Sequence, residues 1–150
     1  VTNSDFFYIT KHPLIWKRCL FALCFLHAVV KERGVYGAVG WAGAYEVDDF
    51  DLKYCMVQMR DVIEEFEPIS VKSLRQLVGD LVYAGRIQDR RDAMVLDALS
   101  ASFFSDKLLN EGHVYTSDGA YFPPEGSELE QYQRYIEQLP SIAPAHVFGL

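Results

Sequence analysis

Several things are missing from this 150-residue sequence, and each absence excludes a class of function. No Gly-x-x-x-x-Gly-Lys-Ser/Thr occurs, so the backbone cradle that holds nucleotide phosphates is absent. Cysteine is scarce: the three, Cys19, Cys24 and Cys55, are odd in number and form no Cys-x-x-Cys. They make neither a disulfide framework nor a zinc ribbon, and read as small apolar side chains in a reducing compartment. Positive charge is also in deficit, 14 Lys and Arg against 21 Asp and Glu, for a net charge of −7. Nucleic acid and anionic lipid both require basic surface, so neither is an expected partner. The apolar run Leu20 to Val30 is shorter than the about 20 residues that a bilayer span needs. Lys17-Arg18 and Lys31-Glu32-Arg33 bracket it, and no membrane helix is expected. Val1 to Thr10 is too polar for a signal peptide. There is no low-complexity tract and no supersecondary repeat. With no initiator Met and abrupt ends, the chain reads as a piece of something longer.

What is present suits one ordered domain: half the residues are hydrophobic and 23% charged, and the length allows a sizeable core. Pro13 fits the first turn of a helix that is apolar almost all round and is expected to end at Arg33, with Gly34 as its left-handed C′ residue. Gly34, Gly37, Gly40 and Gly43 then predict a loop that crosses another backbone closely. Asp48-Asp49 can cap a second helix carrying Leu52, Cys55, Met56, Met59, Ile63 and Phe66 on one stripe, stopped by Pro68. Ser70 can cap a third, with Leu74, Leu77, Val78, Leu81 and Val82 inside, broken at Tyr83-Ala84-Gly85. A fourth begins near Asp89, with Val95, Leu96, Leu99 and Phe103 inside. After Asn110-Glu111-Gly112, the runs 113–116 and 120–122 around Ser117-Asp118-Gly119 predict a β-hairpin. Ser127-x-x-Glu130 is a capping box for a fifth helix with Leu129, Tyr132, Ile136 and Leu139, closed by Pro140. The expected fold is all-α: a leading segment over 1–12, a helical domain of about five helices over 13–140 with one small hairpin before the last, and a connector over 141–150.

Candidate chemistry stands beside plainer readings. Cys19, Cys24 and His27 share a helix face and could suggest a metal site or a Cys/His nucleophile. Their flanks are wholly apolar, and a core cluster with a hydrogen-bonded His is favoured. Asp48, Asp49 and Asp51 resemble the start of a calcium loop, but the Gly and distant Glu are absent, so capping explains them better. Glu64, Glu65 and Glu67 read as a solvated helix end, with a catalytic carboxylate pair as the alternative. Arg86 lies in a loop and could be a buried Arg paired with carboxylates or carbonyls, a partner contact, or an arginine finger. Asp89 and Asp92 sit at the favourable end of a helix dipole.

Four segments, in order, resemble the dynein heavy chain in the helical lid of the sixth and last AAA+ module of its motor ring. Leu23 to Arg33, then Tyr36-Gly37-Ala38-Val39-Gly40-Trp41, is similar to the family's Leu-Cys-Phe-Phe-His-Ala-Val-Val-Gln-Glu-Arg and Tyr/Phe-Gly-Pro-Leu-Gly-Trp. Tyr83 to Ala93 resembles Tyr-Gly-Gly-Arg-Val-Thr-Asp-Asp-x-Asp-Arg, departing at Ala84, Gln88, Arg90 and Ala93. The Gln88 departure weakens the cap, and those at Arg90 and Ala93 put any family salt bridge there in doubt. Tyr115 through Pro123-Pro124-Glu125-Gly126 resembles the family's Tyr-x-x-Ser-x-x-Gly-x-Tyr…Pro-Pro. Tyr135 to Pro140 and Val147 to Leu150 resemble its Tyr-Ile-x-x-Leu-Pro and Phe-Gly-Leu. The resemblance covers about Trp16 to Leu150.

It implies a non-catalytic lid that helps close the ring and relays rigid-body movement to neighbouring modules and the C-terminal region. ATP hydrolysis elsewhere in the heavy chain would drive a minus-end-directed microtubule motor. No cofactor, metal or catalytic residue is implied for this piece, which is expected to be monomeric. Structural or interface roles are implied for His27, Glu32, Arg33, Trp41 (folded back over the first helix), Gly85, Arg86, Asp89, Asp92 and Phe148. The implied partners are the rest of the heavy chain and, through the whole motor, other dynein subunits and microtubules. The Pro-Pro-Glu-Gly and Ala-Val-Val-x-Glu-Arg wording is closer to axonemal than cytoplasmic dyneins, placing the chain in a cilium or flagellum. Val147, Phe148 and Leu150 are expected to be poorly held here and to dock on the following region. Two rivals remain: a helical adaptor that seats a peptide in an apolar groove, and a small enzyme using Cys24 and His27.

Overall fold

The computed structural model describes residues 4–8, 10–66, 70–83, 85–110, 112–148 and 150, the side chains of 4 and 80–82 excepted. A short helix, α1 (Ser4–Tyr8), leads into α2 (Pro13–Val35), and a 3₁₀ turn follows at Gly37–Val39. Next come α3 (Asp49–Glu65), α4 (Val71–Gln76) widening into a π-helix at Leu77–Tyr83, α5 (Arg90–Phe103) and α6 (Leu129–Gln138). A 3₁₀ turn at Ala145–Phe148 ends the described fold.

α2 is the axis. Every residue from Trp16 to Leu23 is buried, and solvent reaches the helix farther on at Ala28, Lys31 and Glu32. Pro13 opens it without cost, and the Trp16 N–H closes the first turn on His12 O at 2.9 Å. The helix passes through Gly34 instead of stopping there. The left-handed residue is Gly37 (φ +56°), after the Tyr36 N–H has closed on Arg33 O. α2 also has the length and mean hydropathy of a membrane span, contrary to the shortness of its apolar run. However, 67% of its most apolar window is buried within the fold, as befits a core helix.

The local caps form where the sequence places them. Asp48 accepts from the Phe50 and Asp51 N–H groups while Asp51 accepts from Asp48 N, a reciprocal box at the start of α3. Ser70 caps α4 and Asp89 caps α5. At α6 the box shifts by one residue: the Gln131 side chain accepts from Glu128 N, while Ser127 offers its carbonyl to Lys17. The expected stop at Pro68, the break at Ala84, Glu67, Glu111, and the Leu81 and Val82 side chains lie outside the described residues.

Two expectations are corrected. No strand occurs among the described residues. The hairpin reduces to a turn closed by Gly119 N on Thr116 O, with Tyr115 N on Tyr121 O and the Asp118 carboxylate accepting from Thr116 and Ala120. Pro123 and Pro124 follow at once and cannot donate to a ladder. Lys17 and Arg18, which bracket the apolar run, are buried, with Lys17 donating to Ser127 O and Arg18 to Leu108 O and Asn110 O. Val147 and Phe148, expected to find their seat outside this chain, are buried against α2.

α3, α4 with its π-helix, and α5 pack on one another around α2. Rings also gather against α2: Phe25 lies 5.1 Å from Phe103 and 4.9 Å from Tyr115, and Phe103 lies 5.3 Å from Tyr115. Phe25 itself is only partly buried. Phe103 is 2% exposed and Phe50, on the outer face of α3, 77%. Phe103→Ala is expected to cost roughly 3–5 kcal/mol in denaturant melts, and Phe50→Ala less than about 0.5 kcal/mol. Equal losses would misplace the core.

Candidate functional site

The C-terminal turn of α2 gathers four of the residues singled out by sequence. Arg33 is buried and donates from Nη2 to Gly40 O at 2.5 Å and from Nη1 to Phe148 O. Its guanidinium carbon lies 4.7 Å from the Trp41 ring centre, a cation–π stack. Trp41 folds back on α2 and donates from Nε1 to Val30 O at 3.1 Å. A Cβ on Gly40 would sit 1.8 Å from Arg33 O, so the loop does cross the helix backbone at a distance only glycine permits. Phe148 packs on Tyr36, ring centres 5.6 Å apart.

Asp92, in the first turn of α5, ties the other end of this loop. It accepts from Ala42 N at 2.9 Å, Gly43 N at 3.0 Å and the Tyr45 hydroxyl at 2.7 Å. Burial alone would raise its pKa. The Ala42 N–H, the Tyr45 hydroxyl, the Gly43 N–H and the Arg33 charge outweigh that and hold it below the usual carboxylate range. Tyr45 also accepts from Asp89 N at 3.1 Å, and so joins the loop to the α5 cap. Asp89 accepts from the Arg91 and Asp92 N–H groups. For Arg33, burial lowers the pKa and Asp92 opposes the shift.

His27 lies elsewhere on α2. Its Nδ1 is 2.8 Å from the Tyr83 hydroxyl and its Nε2 3.8 Å from Asp49 Oδ1. The two ring nitrogens thus face the Tyr83 hydroxyl and the Asp49 carboxylate. Burial, then the Lys31 charge, lowers the His27 pKa against the pull of Asp49 and Asp51. Arg86 pairs with a carboxylate, as one reading held, but half-exposed: Nε and Nη2 donate to Asp51 Oδ1 at 3.1 and 3.0 Å. Gly85 and Glu32 are exposed. Glu64 is no idle helix end, because it accepts from Thr10 Oγ1 and Lys11 N and fastens the leading segment.

The chemistry available is limited. Burial pushes the thiols of Cys19 and Cys55 up to about 12 and that of Cys24 to about 11, so all three hold their protons at neutral pH. Among the described residues, no three His, Cys, Asp or Glu side chains converge as metal ligands. An apolar groove of about 300 Å³, of the kind the adaptor reading needs, runs between α2 and α6 past Phe7, Leu20, Phe21, Leu129, Tyr132 and Ile136. Tyr45 escapes sequence reading and Tyr83 is read there only as part of a helix break, since each takes its place through a partner distant along the chain. Only the Gly-every-third spacing hints at Gly40.

Two outcomes follow from this geometry. Removing Asp92 (Asp92→Ala) strips three donors of their acceptor and is expected to cost about 1–3 kcal/mol in denaturant melts, with Asp92→Asn milder. His27 and His113 both have depressed pKa values in the fold, His113 through burial and the Arg18 and Lys107 charges. Below about pH 6.5 the unfolded chain therefore binds protons that the folded chain refuses. Stability should fall as pH drops from 6.5 toward the folded values. Melts at stepped pH should show this slope reduced in His27→Gln and reduced again when His113→Gln is added.

Comparison with known proteins accords with this geometry. The sequence model of one family, described as the dynein heavy chain AAA lid domain, matches residues 16–150. The chain is 36% identical over its whole length to dynein axonemal heavy chain 3 of Mus musculus, spanning 4% of that protein. Over 90% of the chain it is 33% identical to dynein axonemal heavy chain 6 of Homo sapiens, spanning 3% of it. It is 32% identical over its whole length to dynein axonemal heavy chain 12 of Homo sapiens, 5% of that protein. With the Arg33–Trp41 joint, the Asp89 cap and the Phe148 anchor all in one all-α fold, the chain belongs to the dynein heavy chain AAA lid family.

Proposed function

We propose that this chain is a non-catalytic lid, that of the sixth module, in the motor ring of an axonemal dynein heavy chain. It relays rigid-body movement between neighbouring modules and the C-terminal region, takes no cofactor of its own, and is monomeric as a piece. Through the whole motor it works with other dynein subunits on microtubules, in a cilium or flagellum. The observation that carries this reading is the mutual bonding of the family-like residues. Arg33, Trp41 and Asp92 use their polar atoms on loop, helix and tail backbone, which suits transmitting displacement and leaves little for a substrate. A second reading, a peptide-seating adaptor, is favoured by the α2–α6 groove.

Calorimetric titration of the chain with Mg-ATP is expected to give no saturable heat, because the phosphate loop and its Lys are missing. A micromolar dissociation constant would overturn the structural-lid reading. In a full heavy chain, Asp92→Ala should slow microtubule gliding severalfold while nucleotide still binds at the other modules. Unchanged gliding would remove the relay role and return attention to the groove.

A further inference from the structure

We infer that residues 141–150 form a detachable strap whose seating is coupled, through the buried Arg33 guanidinium, to closure of the loop from Gly37 to Tyr45. This goes beyond the lid reading and does not depend on it. The Arg33 side chain has two direct acceptors among the described residues, Phe148 O on the strap and Gly40 O on the loop. Its Nε is buried without a partner. The nearest acidic group acting on it, Asp92, is occupied by Ala42, Gly43 and Tyr45.

A buried cation that loses an acceptor is costly, so a lifted strap leaves the guanidinium held by Gly40 O alone. The cation then gains by turning toward water, and that movement draws it off both Gly40 O and the Trp41 ring. The loop has little slack to follow, because Gly40 is pressed against Arg33 O at a distance where no Cβ fits. Strap and loop therefore share one cation, and coupling of this kind is reciprocal: loop opening must weaken the strap to the same degree.

The strap is held by few points, which makes it separable from the core. Val147 and Phe148 are its buried side chains, while Ile142 is 85% exposed and Pro144 and Ala145 face solvent. A second clasp sits outside, His146 Nε2 at 2.6 Å from Asp118 Oδ2, with both side chains exposed to solvent. A four-residue 3₁₀ turn anchored by two buried side chains belongs to the low-stability end of a fold.

Residue-resolved hydrogen exchange on the intact 150-residue chain tests the coupling. In Phe148→Ala, the Gly40 and Trp41 amides, which bond to Gly37 O, should exchange at least about fivefold faster. Amides in the middle of α3, Cys55 to Met59, should not change. In Arg33→Lys, whose single ammonium cannot fork to both carbonyls, loop and strap should both loosen, and adding Phe148→Ala should then have no further effect on Gly40 and Trp41. The inference is overturned if Phe148→Ala frees the Val147 and Leu150 amides but leaves Gly40 and Trp41 unchanged. It is equally overturned if α3 accelerates as much as the loop, which would make Phe148 part of the common core. Should Arg33→Lys fail to fold, His146→Ala decides: the same two loop amides must speed up by at least about twofold, and unchanged rates there sink the coupling.

Discussion

Four polar side chains of α2, Lys17, Arg18, His27 and Arg33, enter the interior, and each must find its partner there because water cannot substitute. Each does so by reaching a different segment. Lys17 holds the start of α6 through Ser127 O, and Arg18 holds the loop after α5 through Leu108 O and Asn110 O. His27 meets Tyr83 at the end of the π-helix, and Arg33 meets the loop and the tail. The apolar surface of α2 explains why the helix is central. Its polar pegs explain why the remaining segments take particular places around it.

That division also explains how much could be read from sequence. Helix starts were legible because capping is local: Asp48, Ser70 and Asp89 satisfy N–H groups two or three residues away, and their chemistry is written within one turn. The central position of the first helix and the return of Trp41 over it were legible too, the latter through the resemblance. Ends and turns were not. Gly34 offered a C′ residue, but the helix runs on to Val35 and the left-handed residue is Gly37. The hairpin was overread because one cross-turn hydrogen bond, Tyr115 to Tyr121, does not make a ladder when two prolines follow. Phe148 was misplaced, and the partners of Lys17 and Arg18 were not foreseen, because those partners lie 90 or more residues away, beyond the reach of any periodicity.

The candidate site divides in the same way. The resemblance named Arg33, Trp41, Asp92 and Phe148 singly, and the fold brings them to one end of α2. It does not bring in Glu32 or Gly85, which stay at the surface. Gly40, announced by the glycine spacing, and Tyr45, which carries no such signal, complete the joint. Such a joint is stiff. Loop, helix end and α5 cap are tied by bonds at 2.5–3.1 Å, so displacement at one is felt at the others.

The π-helix at Leu77–Tyr83 has a consequence of another kind. A π turn is an α turn that has taken in an extra residue. Were the same residues wound as ordinary α-helix, everything beyond them would be turned by roughly 100°. Tyr83 would swing off His27, and the Arg86–Asp51 pair would part with it. The stretch therefore counts residues: its length, as much as its composition, keeps the second half of the domain in phase with the first.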